Sequence, residues 1–230
     1  MKESTRHLIL SCEHGGNQIP LACRHLFSKA THILKTHRGL DIGALSIAKT
    51  LSSKLSVPLL YSETSRLLVD LNRSLHHPKL FSEFTRDCDR QTREQILRKY
   101  YLPYRQILEQ QFLDTIAAGD TVLHLSIHSF TPVLAGQVRH ADIGLLYDPA
   151  RKSEKSFCRS LQASLQQSSD YVIRSNYPYR GNADGITTWL RNRLSPKAYI
   201  GIEIEINQKL LGKDSKHIGT ILVETLRSSI

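Results

Sequence analysis

Leu8–Pro20 reads LILSCEHGGNQIP: an apolar run that stops at an acid and a histidine, followed by two glycines. A strand ending in this way carries its last polar side chains to a sheet edge, and in open α/β sheets ligands collect beyond the carboxyl ends of the strands. The rest of the chain decides whether it is such a protein. Short runs, apolar or alternating and rich in Val, Ile, Leu or Tyr, recur as HLILSC (7–12), VPLLYSE (57–63), RLLVDLN (66–72), TVLHLSI (121–127), IGLLYD (143–148), YVIRS (171–175) and YIGIEIEIN (199–207). Between them, residues 41–55, 91–119, 153–168 and 215–230 repeat apolar residues at three- and four-residue spacing, and Gly119 supplies a stop for the longest of these helical segments. Strands alternating with helices predict a three-layer α/β sandwich around a mostly parallel mixed sheet.

Bulk properties narrow the function classes. A chain of 230 residues with 40% hydrophobic content is long enough for one sizeable core, and residues 1–230 read as a single domain without repeats or linkers. No apolar stretch reaches the roughly 18 residues of a membrane span, and the N-terminus lacks the apolar core of a secretory signal, so no membrane partner and a cytoplasmic location are expected. Cys12, Cys23, Cys88 and Cys158 are scattered without CxxC spacing and read as reduced thiols. The net charge of +10 invites a nucleic-acid or acidic-ligand reading. The basic residues are spread along the chain and no nucleic-acid-binding motif accompanies them, so no nucleic-acid partner is expected; the charge reads as a solvated basic surface that attracts anions. The sequence carries no signal of oligomeric state.

Four strand ends bear charged or metal-capable groups: Glu13 and His14; Asp70, Asn72 and Arg73; His128 and Ser129; Glu203 and Glu205. A lone histidine in an apolar context is usually a hydrogen-bonded core residue, but several such groups converging on one sheet edge call for another account. Two histidines from separate strands with a carboxylate make the three-ligand set of a catalytic zinc, with an open position for water. A further carboxylate, free of the metal, would take a proton from that water and pass it to a leaving amine, a task that suits Glu205. An arginine with a neighbouring asparagine would hold a substrate carboxylate, which suits Arg73 and Asn72. Gly15 and Gly16 permit either a close backbone approach to a ligand or a tight strand-to-helix turn.

Six segments in order, CEHGGNQIP, HRGLDIGA, SRLLVDLNRS, SIHSFTP, NYPYRG and IEIEINQ, resemble the N-formylglutamate amidohydrolase family over the whole chain. The resemblance implies a zinc-dependent amidohydrolase with the phosphorylase/hydrolase-like α/β fold shared with zinc carboxypeptidases, holding one Zn2+ per chain. It gives His14 and His128 the task of metal ligands, and Asn72 and Arg73 that of holding the substrate carboxylate. One departure concerns the third ligand. Where carboxypeptidases place a glutamate three residues after the first histidine, this chain has Asn17, which leaves Asp41, Glu13, Asn17 or water. Asp41 is favoured by the resemblance, against a reading as the cap of the helix that follows. A second departure is Arg105, where the family's run ends in histidine.

Remaining pieces have paired readings. Arg66, Ser129, Asn176, Tyr179 and Gly181 are expected to contact substrate, the last three because NYPYRG matches a family segment, although a turn needs the same residues. Arg139 reads as either a contact or a surface residue. The expected activity is hydrolysis of the amide of an N-formyl or N-acyl amino acid, a small carboxylate-bearing substrate. The alternatives are a carboxypeptidase-like amidohydrolase acting on a short peptide or cell-wall fragment, and a metal-free anion- or nucleic-acid-binding module.

Overall fold

The computed structural model describes residues 4–212 and 215–229; Ile230, the end of the last predicted helix, lies outside them. The strands are β1 (Arg6–Cys12), β2 (Leu59–Tyr61), β3 (Thr121–Phe130), β4 (Val133–Leu134), β5 (Gln137–Val138), β6 (Ile143–Leu146), β7 (Ile173–Ser175) and β8 (Tyr199–Asn207). The α-helices are α1 (Ala44–Leu55), α2 (Arg90–Ile96), α3 (Leu102–Ala117), α4 (Lys152–Ser168), α5 (Ile186–Arg191) and α6 (Ser215–Arg227). Six strands form one sheet in the order β2-β1-β3-β8-β6-β7, all parallel to their neighbours except at β6–β8; β4 and β5 form a separate hairpin. Among the described residues no helix is long and apolar enough to cross a membrane.

The two sheet faces differ, and the difference places the site. One face carries Leu8, Leu10, Leu123, Leu125, Ile202 and Ile204, all buried under the apolar sides of α1, α4 and α6. Each such aliphatic side chain contributes on the order of 1.5–3 kcal/mol when removed from water. The opposite face starts apolar, with Ile9, Val122 and Tyr199 packed beneath α3 and α5. Side chains two apart along a strand share a face. Along β3 that face therefore runs Val122, His124, Ser126, His128, and along β8 it runs Tyr199, Gly201, Glu203, Glu205. The face becomes more polar towards the carboxyl ends. Halfway along, a buried bridge satisfies the first polar groups: Ser11 Oγ lies 2.7 Å from His124 Nε2, whose Nδ1 lies 2.8 Å from the Tyr199 hydroxyl. Burial pushes His124 down to about 4, so it stays neutral here.

Two expected elements differ. RLLVDLN is not a strand. The Leu68 amide donates to the Ser65 carbonyl and the Arg73 amide to the Asp70 carbonyl, closing successive turns, while Leu67, Leu68, Val69 and Leu71 are all buried. The apolar run reports burial rather than strand geometry, and folding back places Arg66 and Asp70 side by side. The helix expected over 91–119 is interrupted by a wide π turn at Leu97–Tyr101. It sits just ahead of Pro103, which has no N–H for the preceding turn. At the far end Gly119, with φ +89°, ends the helix as expected.

Candidate metal centre and active-site cavity

Strand register sets three groups in a row. His128 on β3 pairs with Glu205 on β8, and the β1–β3 register, Ser11 to Ser126, continues past the strand end to bring Glu13 beside His128. His14 follows one residue later, and its carbonyl accepts the Asp41 amide at 2.9 Å, which ties the loop before α1 to the end of β1. Asp41 does not cap that helix: the cap is Gly43, at φ +80°, and the Asp41 side chain turns to the histidines instead. Its Oδ2 lies 2.8 Å from His128 Nδ1 and 3.3 Å from His14 Nδ1. Ligand atoms of His14, Asp41 and His128 thus lie within 4.8 Å of one another, and all three residues are buried. Gly15 and Gly16 serve chain packing, since a side chain at either would strike the backbone at Ser62 or Glu63.

Each imidazole has a carboxylate behind it. His14 Nε2 lies 2.7 Å from Asp70 Oδ1, and His128 Nε2 lies 3.2 Å from Glu13 Oε2 and 2.9 Å from Ser126 Oγ. Glu13 is fully buried and also accepts hydrogen bonds from Ser126 at 2.5 Å and Tyr104 at 2.9 Å. Arg66 joins the two halves, donating to Asp41 Oδ1 at 3.2 Å and to Asp70 Oδ2 at 2.9 Å. Burial alone would raise all three carboxyl pKa values, yet all are lowered. His128 and Ser126 hold Glu13 down; His14, His128 and Arg66 do so for Asp41; Arg66 and His14 do so for Asp70. Burial likewise opposes charge on both histidines, but Asp70 and Asp41 raise His14, and Asp41 with Glu13 raises His128 well above its usual value.

These groups open into a cavity of about 180 Å3 lined by His14, Asp41, Arg66, Asn72, Arg73, His128, Ser129, Tyr179, Arg180, Ala183, Asp184, Glu203 and Glu205. A larger hollow of about 500 Å3 around Cys23, Phe84 and Lys99 shares none of these residues. Glu205 is buried, and its Oε2 has no hydrogen-bond partner. Burial raises its carboxyl to about 8, helped by Asp41 and Glu203. Gly144 faces it across β6, where a Cβ would collide with the Tyr177 carbonyl and press on Glu205. Arg73 reaches the cavity with Nη1 on the Asp184 carbonyl, and Asn72 accepts the Ile186 amide at the start of α5. Ser129 and Tyr179 also line it; Ser129 donates to the Ile42 carbonyl, and Tyr179 is covered by the Arg139 guanidinium. Asn176 and Gly181 do not line it. Asn176, at φ +50°, accepts the amides of Tyr147 and Gly181, and Gly181 abuts the Tyr147 backbone, so the pair frames the loop that carries Tyr179 and Arg180.

Residues 6–211 match the N-formylglutamate amidohydrolase family. The chain belongs to that family. A gene product of Agrobacterium tumefaciens of known crystal structure is 28% identical, with a TM-score of 0.81 over 96% of this chain and 90% of its own. An N-formylglutamate amidohydrolase from Ralstonia eutropha shares the fold at 18% identity and a TM-score of 0.70, over 97% of this chain and 93% of its own. Among curated proteins none matches.

In this amidohydrolase the charges of the centre leave room for a divalent cation. Asp41, Asp70 and Glu13 are held ionised, and Arg66 is the permanent cation bonded directly to two of them, so the cluster can take further positive charge. These carboxylates raise the proton affinity of His14 and His128, and a divalent ion held by His14, Asp41 and His128 would meet the same negative charge. Asp70 and Glu13 are the functional candidates for which sequence reasoning found no partner. Both stand at apparent strand ends, but what each one faces depends on the folded turn at 66–73 and on the β1–β3 register.

Proposed function

We propose that the chain is a zinc-dependent amidohydrolase that cleaves the amide of an N-formyl or N-acyl amino acid, with His14, Asp41 and His128 holding one zinc. The observation that carries this reading is the partnerless Glu205 carboxyl in the same small cavity as the His14–Asp41–His128 group and Arg73. The bound zinc would supply Lewis acidity toward the amide carbonyl and the attacking water. Arg73 binds the substrate carboxylate, Asn72 fixes the start of α5 beside it, and Glu205 accepts the proton of the attacking water and returns it to the leaving nitrogen. Asp70 and Glu13 hold the imidazoles with Nδ1 facing Asp41, and Arg66 bridges Asp41 and Asp70, offsetting their mutual repulsion and orienting both. A cavity of about 180 Å3 favours a small substrate over a long peptide; sites for drug-sized ligands run to roughly 300–1,000 Å3.

The reading is tested by elemental analysis of the purified protein, joined to a screen of N-formyl and N-acyl amino acids and short peptides. About one zinc per chain is expected, together with turnover of an N-formyl amino acid that chelation abolishes and added zinc restores. A protein that takes up no zinc and turns over none of the panel, while still binding carboxylates, would be an anion-binding module.

A second expectation follows from the charges. Ligating imidazoles must be neutral and the neighbouring carboxylates raise the proton affinity of both, so loading with zinc should release protons from His14 and His128, with a contribution from Glu205 as the cation lowers its pKa. Titration calorimetry in buffers of different ionisation enthalpy measures their number. Because both imidazole pKa values are raised, apparent zinc affinity should climb with pH and fall steeply on acidification. Release of no protons would mean that zinc binds elsewhere.

A further inference from the structure

Arg105, on α3, is buried and does not line the cavity, yet all its hydrogen bonds go to the segment that carries the proposed substrate anchor. Its Nε and Nη2 donate to the Leu71 carbonyl at 3.3 and 3.1 Å, and Nη2 donates also to the Arg73 carbonyl at 2.7 Å. The Tyr101 hydroxyl reaches the same Arg73 oxygen at 2.7 Å. The guanidinium is wedged between the rings of Tyr101 and Trp189, 4.8 Å from each centroid, and its Nη1 is buried without a partner. Burying a cation with one nitrogen unsatisfied is costly, so the contacts it does make must hold something in place. What they hold is a turn. The amides of Asn72 and Arg73 are already committed to Asp70, through its Oδ1 at 3.0 Å and its carbonyl at 3.1 Å. Arg105 takes the carbonyls on either side of Asn72. With both sides fixed, the Arg73 side chain leaves the turn in one direction, toward the cavity.

We propose that Arg105 is a positioning residue for substrate recognition: its forked guanidinium sets the carbonyls of Leu71 and Arg73 and thereby aims Arg73 at the substrate carboxylate, without touching substrate itself. This rests on the reading of Arg73 as the anchor. A side chain with a single N–H could not bond both carbonyls in this way, whereas the fork does.

The test is a double-mutant cycle on the zinc-loaded enzyme with N-formylglutamate as the probe, metal content being measured in every variant. Arg105→Met keeps bulk between the two rings but removes the donors; it should raise KM about 10-fold, with kcat changed less than about threefold. Tyr101→Phe removes one bond to the Arg73 carbonyl and should raise KM by a smaller factor, which keeps the proposal testable if Arg105→Met fails to fold. Each of these changes should have little further effect in an Arg73→Ala background, because the residue being aimed is gone. KM effects that multiply in the double variants overturn the proposal, as does a loss of zinc or kcat with KM unchanged. If Arg73→Ala itself leaves KM unchanged, the anchor reading fails and this assignment falls with it.

Discussion

Replacing Glu205 by Gln should lower kcat by roughly 100-fold or more while zinc content stays at the wild-type level. Glutamine keeps the size of the side chain and loses only its ability to accept and return a proton. The expectation rests on position: Glu205 is the register partner of His128, it faces the cavity, and its Oε2 makes no hydrogen bond in the protein. Glu203 lies two residues earlier on the same face and supplies the control. It accepts the Thr187 hydroxyl at 2.6 Å, so it is engaged in holding α5, and Glu203→Gln should have a much smaller effect on kcat. Should Glu203→Gln abolish turnover and Glu205→Gln spare it, the proton carrier is Glu203. Activity of both variants at the wild-type level would remove the proposed mechanism.

The pH dependence of the same residue has a definite sign. In the protein without metal, burial holds Glu205 near 8, far above its ordinary 4.5. A carboxyl whose folded pKa is raised stabilises the fold fully below its unfolded pKa and loses that contribution as pH rises through the folded value. Zinc-free wild type should therefore lose stability between about pH 4.5 and 8 through this group, and zinc-free Glu205→Gln should lack that component. With zinc bound, the added positive charge favours the carboxylate and moves ionisation downward. The acid limb of kcat/KM should then fall below pH 8, with activity rising as Glu205 ionises.

The strands that build the floor of the site were legible because their neighbours bury one face completely. HLILSC is a short apolar run, TVLHLSI and YIGIEIEIN show a period of two, and the polar side chains of the last two strands, His128 and Glu205 among them, occupy one face near the carboxyl ends. The same rule fails at RLLVDLN, where consecutive side chains are buried by a loop that folds under α3 rather than by a sheet. The hairpin β4–β5 and the six-residue α5 escaped notice because they are short and, in the hairpin, exposed. For the candidate site, residue type and strand ends pointed to His14, His128 and Glu205, which the fold brings to one cavity; Arg73 lines it too, although it follows a folded turn and not a strand. Partnerships were not legible: Arg66 lines the cavity as expected, but nothing in the sequence says that its guanidinium also spans Asp41 and Asp70. Nor does the sequence show that the donors of Arg105 go to the Leu71 and Arg73 carbonyls. Contacts 25 to 113 residues apart in sequence follow from register and turns, not from local pattern.

Removal of any one of the three proposed zinc ligands should be the most severe change of all. His14→Ala and His128→Ala should each carry less than roughly a tenth of a zinc per chain after dialysis, since a three-ligand site rarely survives the loss of a strong ligand. Asp41→Ala belongs with them. Were Asp41 only a helix cap, the variant would keep its zinc and lose about 1 kcal/mol of stability; with Gly43 at the cap position and Asp41 Oδ2 between the two Nδ1 atoms, zinc is what should be lost. The residues behind the imidazoles should behave differently. Asp70→Asn and Glu13→Gln leave all three ligands in place and loosen only their orientation, so zinc affinity should fall about 10- to 100-fold while a stoichiometric ion is still held at high zinc. Elemental analysis and competition with a chromophoric chelator separate the two classes. Full zinc retention in both histidine variants would place the metal elsewhere. Equal loss in all five variants would mean that Asp70 and Glu13 are needed to form the site at all, because the imidazoles turn away from Asp41 once their carboxylate partners are neutralised.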